Sequence, residues 1–514
     1  MNKKSWYRAN THVFVGCVLA IAFVILRPPV PDLQAADARA SAVWHGVGSS
    51  YWFSWFGGTS PGTYSLLTPL VSALLGTAAT AALAVVVISV AARPLVAGGV
   101  RPVAAQYAVV IAALCNLWSG RVAFCLGAAI AVLAVIAVRQ SRPWLGGALN
   151  LAAALASPLA AVFALLGFVG VAVVRRDSRS ELLPFMLLSC VGIGAPTLLF
   201  GDSGAMSFAT TTYAWAVAIP LAAATLRLPT ETRVTLLAGS LVATVLWFEP
   251  FAVGSTIVRF SAYVVPPLVI ATARSGRRMV AVYLLPVVFF CGQYLIGDLA
   301  NSTRPSAKAG YFDGLSSELA AQPDVHNHRV EVIDTTTHRG YVALADRLYL
   351  ARGWEVQQDR ATNRIFFDPG TLTPASYRRW LDQLATGWVA VPDEPGGSNV
   401  AEVRLIAGGL PYLHKVWSDQ HWTLYAVSRP QSIVPAPAHL DEAAPASITL
   451  SVPGQTSIVV RVRPSRHLTI AGATITRNDR TSIRIMLPAA GSYRLHASSY
   501  NGDPLAIIYA AARD

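Results

Sequence analysis

Between Val13 and Leu299 the chain consists of long apolar blocks joined by short loops that carry arginines, a pattern that rules out a soluble fold for that stretch. A helix needs roughly 20 apolar residues to cross the ~30 Å hydrocarbon core of a bilayer, and ~17 suffice when flanking residues reach the interface. The blocks fall at 11–27, 66–92, 103–118, 121–138, 182–200, 207–226, 232–249, 256–273 and 279–297, and a longer one runs from Leu145 to Val174. That last block exceeds one helix and is interrupted at Ser157-Pro158.

The basic residues decide how the long block is used. Arg139 and Arg142 precede it, and Arg175, Arg176 and Arg179 follow it. If both flanks face the cytoplasm, the block crosses twice, as a hairpin turning near Ser157. Lys3, Lys4, Arg8, Arg93, Arg101, Arg227, Arg233, Arg274, Arg277 and Arg278 then fall on the same side. The opposite loops hold Arg27, Arg39 and Arg121 among Asp32, Asp37, Asp202 and Glu249. The expectation is a membrane all-α domain of about eleven transmembrane helices in the plasma (inner) membrane, N-terminus cytoplasmic and C-terminal part extracytoplasmic. Lys3, Lys4 and Arg8 before the first apolar run resemble a signal peptide, but Arg27-Pro28-Pro29 follows instead of small residues, so the segment reads as a retained anchor.

The net charge of +13 sits largely in those cytoplasmic loops, which argues against nucleic acid as a partner. All five cysteines, Cys17, Cys115, Cys125, Cys190 and Cys291, lie inside apolar blocks, with no zinc-like spacing. From about Asp298 onward the composition becomes that of a soluble protein. The expected division is 1–299 transmembrane, 300–430 an extracytoplasmic α/β module, and 431–514 a small β-sandwich.

Within the α/β module, His328–Asp334 alternates like a strand, and Thr373-Pro374 reads as an N-cap and first-turn proline opening the helix 374–386. A strand at 388–392, a helix at 400–407, and a hairpin of 414–417 with 422–427 follow. After a proline-rich link, short alternating runs at 447–452, 457–462, 468–470, 482–486 and 493–497 carry the sandwich pattern. Such a module serves as a glycan binder or as a structural cap.

Several segments resemble a group of polytopic actinobacterial membrane proteins whose organisation is similar to the GT-C glycosyltransferases. They are Trp55-Phe56-Gly57-Gly58 with Pro61–Pro69, Ser119-Gly120-Arg121 with Phe124, Ser157-Pro158-Leu159-Ala160, and Val253-Gly254-Ser255 with Arg259. In the soluble part they are Ala351–Glu355 with Gln358-Asp359, Tyr377–Leu381, and Gly409–Leu413. The resemblance spans the chain to about Val427. It implies a polyprenyl-phosphate-linked sugar as donor, a cell-envelope glycan or lipid as acceptor, and membrane lipid as surroundings. It also implies an acidic residue in the first external loop that acts as base or helps place a metal. Asp32 and Asp37 fill that position, although no adjacent acidic pair accompanies them, so use of a divalent cation stays open.

Physical reasoning adds further candidates. Charges inside spans cost about 2.5–3.5 kcal/mol on insertion scales and so face a cavity or a partner. Arg259, ten residues after Glu249, suits a donor phosphate through its planar fork of donors, and Glu249 would line the same pocket. The competing reading is an ion pair between them or a snorkelling arginine. Arg121, between two helices on the external side, fits a phosphate or an interfacial anchor. Trp55, with Trp44, Trp52, Tyr51 and Tyr64, belongs to an aromatic belt or to a pocket that stacks on sugar. Against the glycosyltransferase stand a transporter or flippase for an envelope precursor, expected to show broken helices and repeats, and a non-catalytic envelope assembly protein.

Overall fold

Asn150 reveals how the long block is folded. In the computed structural model, which describes residues 3–201, 204–206, 208–249 and 251–497, its side-chain amide donates to Ala161 O over 3.2 Å and to Ser189 Oγ over 2.7 Å. Eleven residues of continuous helix would separate positions 150 and 161 by about 16 Å. The chain therefore reverses between them. Ser157 is extended (φ −157°, ψ 106°), and Pro158 opens the next helix at a position that needs no N–H.

The chain divides into two compact units, the first comprising residues 1–36 and 64–300. It contains α1 (Lys3–Leu26), the first turns of α2 (Pro31–Trp44), α3 (Thr68–Leu75), α4 (Thr77–Leu95), α5 (Pro102–Trp118), α6 (Val122–Arg139), α7 (Pro143–Ala156), α8 (Pro158–Val174), α9 (Arg179–Phe200), α10 (Thr210–Ala224), α11 (Thr230–Phe248), α12 (Val265–Thr272) and α13 (Arg277–Asn301). Every apolar block in the sequence is thus helical. Small residues set the closest approaches. A Cβ on Gly147 of α7 would stand 2.9 Å from Pro184 O of α9, and one on Gly192 of α9 would stand 2.9 Å from Leu151 Cα of α7. These contacts ascend together, so α7 and α9 run parallel and α8 runs back between them in sequence.

Among the described residues six helices are long and apolar enough to cross a membrane, or seven if the pair Asn10–Leu26 and Pro31–Trp44, bent by 70°, counts as one span. The helices α5, α7 and α8, of 17, 14 and 17 residues, are shorter. The chain is a multi-pass membrane protein, with a mixed α/β and β-sheet region after the last helix. Asp202 lies outside the described residues.

The second unit comprises residues 37–63 and 301–514. The segment 37–63, expected to belong with the membrane helices, is thus part of the soluble fold, and the two expected soluble modules form one unit. The helices α14 (Asp313–Ala321), α15 (Gly340–Ala343), α16 (Val356–Thr362), α17 (Pro374–Gln383) and α18 (Val400–Ala407) accompany a sheet of β1 (Arg329–Val332), β2 (Thr386–Pro392), β3 (Leu413–Ser418) and β4 (Trp422–Val427). Its order is β1-β2-β4-β3, parallel between β1 and β2 and antiparallel elsewhere. Thr373 and Ser376 cap α17 reciprocally, with Pro374 at the first position. Trp52, Trp55 and Phe56 complete the core of this module against Leu315, Tyr341, Trp388 and Trp422.

Beyond it, β5 (His439–Ala444), β6 (Ser447–Val452), β7 (Thr456–Val460), β8 (Leu468–Ile470), β9 (Thr474–Arg477), β10 (Ile483–Leu487) and β11 (Gly491–Ala497) form two sheets, ordered β5-β6-β11-β8 and β7-β10-β9. Alternate residues such as Ile483, Ile485 and Leu487 point into the shared core. The strands β5 and β9 are additional to the expected runs, because both are largely exposed and lack clean alternation.

A candidate carboxylate and arginine site in the helical unit

The Ser119-Gly120-Arg121 sequence ends one helix and begins the next. Gly120 N–H bonds Leu117 O over 2.8 Å and Arg121 N–H bonds Asn116 O over 3.1 Å, the paired bonds of a Schellman stop, with Gly120 left-handed at φ +73°. Arg121 is at once the N-cap residue of α6. A Cβ at position 120 would lie 2.6 Å from Val30 Cγ2 and 2.7 Å from Leu33 N, so glycine is what lets the start of α2 seat against this turn. That seating brings Asp32, in the first turn of α2, beside Arg121.

Arg259 reaches the same place along a different path. It lies between a 3-10 turn (Gly254–Ile257) and a π-turn (Phe260–Val264) that leads into α12. Pro266 and Pro267 lack the N–H groups that would close regular turns onto the carbonyls of Ala262 and Tyr263. The Ala262 carbonyl instead accepts from Cys291 Sγ at 3.4 Å. Such π segments recur at functional sites because they re-aim side chains.

Four charged groups converge. Asp32 Oδ2 lies 3.5 Å from Arg121 Nε and 3.9 Å from Arg259 Nη2, and Asp298 Oδ2 lies 3.6 Å from Arg121 Nη2. Arg121 Nη1 donates to Tyr263 Oη over 2.7 Å. Arg259 stands over the Phe124 ring, 5.4 Å from its centroid, and within electrostatic reach of Tyr64. The site is balanced, two carboxylates against two guanidinium groups. Its ion pairs are longer than the 2.7–2.9 Å of charge-assisted hydrogen bonds. Among the described residues, Arg121 Nε and Asp298 Oδ2 are buried without a hydrogen-bond partner. Arg121 Nε thus faces Asp32 without a hydrogen bond of its own, and Asp32, with 37% of its side chain exposed, is the more open carboxylate.

Of the residues read from sequence, Asp32, Arg121 and Arg259 come together here. Asp37 does not: it is five positions along α2, on a different face, and belongs to the second unit. Glu249 is the exposed C-cap residue of α11 and, among the described residues, forms no ion pair with Arg259. Trp55 is a core residue of the second unit and not a pocket wall. It is 1% exposed and packs 4.1 Å from Trp52 and 5.8 Å from Tyr341 between ring centroids.

Sequence reasoning missed Asp298 and Tyr263. Asp298 carries a readable signal, an acid near the end of the last apolar block, but it coincides with the change to soluble composition and was absorbed into it. Among the described residues no group of three or more His, Cys, Asp or Glu is placed to hold a metal ion. Both carboxylates of the site are engaged by arginine, so these residues do not fit a resident divalent cation. Comparison with family models, with curated proteins and with solved structures finds no match.

Proposed function

We propose that the protein is an integral membrane glycosyltransferase of the cell envelope, moving a sugar from a polyprenyl-phosphate donor to an extracytoplasmic acceptor. The observation that carries this reading is the convergence of two arginines, Arg121 and Arg259, on one open carboxylate, Asp32. In the proposed reaction the acceptor hydroxyl gives its proton to Asp32, and its oxygen attacks the anomeric carbon. The bond from that carbon to the phosphate oxygen breaks, and the polyprenyl phosphate leaves with the electron pair. The donor phosphodiester carries one negative charge and the departing monoester approaches two. Arg121 and Arg259 therefore bind the transition state more tightly than the ground state. Asp298 and Tyr263 hold Arg121 in place for this role.

The finer topology belongs to the same proposal: eleven crossings, cytoplasmic N-terminus, and the second unit outside the inner membrane, as the arginine-rich loops favour. A second reading, transport of a lipid-linked envelope precursor, is favoured by the helix breaks at Gly76 (φ +83°), Ser157 and the turns around Arg259.

The test follows labelled polyprenyl-phosphate sugars in membranes containing wild-type, Asp32→Ala, Asp37→Ala or Arg259→Ala protein at matched expression. Loss of transfer in a folded Asp32 variant supports the enzyme and its base. Wild-type membranes that transfer no more label than membranes without the protein, across several donors, would overturn it, and label moved across the bilayer without transfer would favour transport.

A further inference from the structure

Arg329, the first residue of β1, is fully buried in the second unit. Its Nη1 donates to Leu384 O over 2.6 Å, just past the C-terminus of α17, whose dipole offsets part of the positive charge. That contact uses one donor of five. Nε and Nη2 are buried with no hydrogen-bond partner among the described residues. The charged and polar groups acting on Arg329 are the hydroxyls of Tyr51 and Tyr349 and two further cations, Arg461 and Arg463. No carboxylate is among them.

The other two arginines donate their hydrogen bonds to neutral oxygens, although Asp382 and Asp479 act on Arg461 and Asp359 and Asp479 on Arg463 at longer range. Arg463 donates through Nε to Phe56 O, and its backbone N–H bonds Gly57 O over 2.7 Å. Arg461 donates to Ser432 O over 2.9 Å and to Gln431 Oε1 over 2.8 Å. Tyr51 Oη donates to Arg463 O over 2.7 Å, and Tyr349 Oη to Ala444 O over 2.7 Å. Gly57 is the pivot: a Cβ there would lie 3.7 Å from Arg463 Cγ and 3.8 Å from Arg329 Cζ, so both side chains close on one point. Segment 37–63, the α/β module and the sandwich all meet at this junction. Burial depresses the pKa of both Arg329 and Arg463 to about 10; repulsion from Arg463 and Arg461 adds to the shift at Arg329, whereas Asp359 and Asp479 act against it at Arg463.

A buried guanidinium does not shed its proton at neutral pH, so Arg329, fully buried beside two further cations and with no carboxylate acting on it, requires a counter-charge. We propose that this junction binds a small tetrahedral oxyanion, of the phosphate or sulfate class, gripped by Arg329 and flanked by Arg461 and Arg463. Nε and Nη2 form one edge of the guanidinium plane, the edge that takes two oxygens of an oxyanion side by side. The complete burial of Arg329 fits a free inorganic ion and leaves no path for a phosphate esterified to a lipid or glycan. The site is independent of the proposed sugar transfer, and its ion is a structural ligand that joins the three segments.

The full chain, purified in detergent in chloride buffer at constant ionic strength, is titrated with inorganic phosphate, sulfate or acetate while its unfolding temperature is followed. Phosphate or sulfate is expected to raise that temperature saturably, by several degrees at saturation, and acetate to leave it unchanged. Arg329→Met should abolish the response. Arg463→Gln, which keeps Arg329 in place, should weaken it at least tenfold in midpoint concentration. A wild-type response no larger than with chloride, a response equal to that of acetate, or variants that respond as wild type does would each overturn the assignment.

Discussion

Arg121 is held on three sides, by Asp32, Asp298 and Tyr263, whereas Arg259 has Asp32 as its single ion-pair contact among the described residues. Under the proposed chemistry Arg121 is the fixed half of the phosphate clamp and Arg259 the adjustable half. Asp32→Asn should lower sugar transfer by about 10²–10⁴-fold, the usual worth of a positioned base, and Arg259→Ala by about 10²–10³-fold, the worth of one lost electrostatic contact. Asp37→Asn, made on the other face of α2, should transfer label as wild type does. All three variants are compared in single-turnover transfer with labelled donor. Arg259 was legible because a charge inside an apolar block is costly and demands a reason, Arg121 by its place between two blocks and Asp32 by its place in the first external loop, whereas Asp298 was hidden by the change to soluble composition. Choosing between Asp32 and Asp37 was not, because loop composition carries no helical phase, and only the α2 geometry separates their faces.

At the scale of elements, two devices set the site's shape. Gly120 lets α2 rest on the turn between α5 and α6. Gly120→Ala meets the backbone of Leu33 in a left-handed conformation, and should destabilise the helical unit by about 1–3 kcal/mol while also lowering transfer, because it displaces Asp32 from Arg121. Thermal inactivation in detergent, read beside the transfer rate, tests both effects. The hairpin α7–α8 depends on Asn150, whose amide bridges Ala161 O and Ser189 Oγ inside the bundle. Asn150→Leu should cost about 1–3 kcal/mol by removing both buried hydrogen bonds that tie α7 to α8 and α9, with little effect on transfer at low temperature. The hairpin itself could be read from sequence, since arginines flank the block on both sides and a proline breaks it. The helix α2 could not, because its alanine-rich sequence shows no sharp apolar stripe. Nor could the burial of Trp52 and Trp55, since an aromatic run before a span reads equally well as an interfacial belt.

For the molecule as a whole, the two units place their charge differently. The helical unit balances two carboxylates with two arginines. In the soluble unit Arg352 is buried with three carboxylates: its Nη2 lies 2.6 Å from Asp359 Oδ2, and its Nη1 lies 3.3 Å from Glu402 Oε2 and 3.6 Å from Glu331 Oε1. Both oxygens of Glu331 are buried without a hydrogen-bond partner among the described residues. Burial, then repulsion from Glu402, raises the Glu331 pKa well above the usual carboxylate range, and burial lifts Glu402 to about 7 against the pull of Arg352. Each group thus binds its proton more tightly in the folded state than in the unfolded chain, where glutamate titrates near ~4.3. The stabilisation from those protons is complete below that pH and is lost as pH rises through about 7, where Glu402 gives up its proton, and beyond, where Glu331 follows. Unfolding of the soluble unit, followed by the fluorescence of its buried tryptophans, should become easier from pH 5 to 9, with a slope of up to about 1.4 kcal/mol per pH unit for each proton released. Glu331→Gln keeps the shape and removes one titration, so it should flatten that slope and stabilise the unit at pH 8 relative to wild type. A variant slope as steep as that of wild type would show that the proton is held elsewhere.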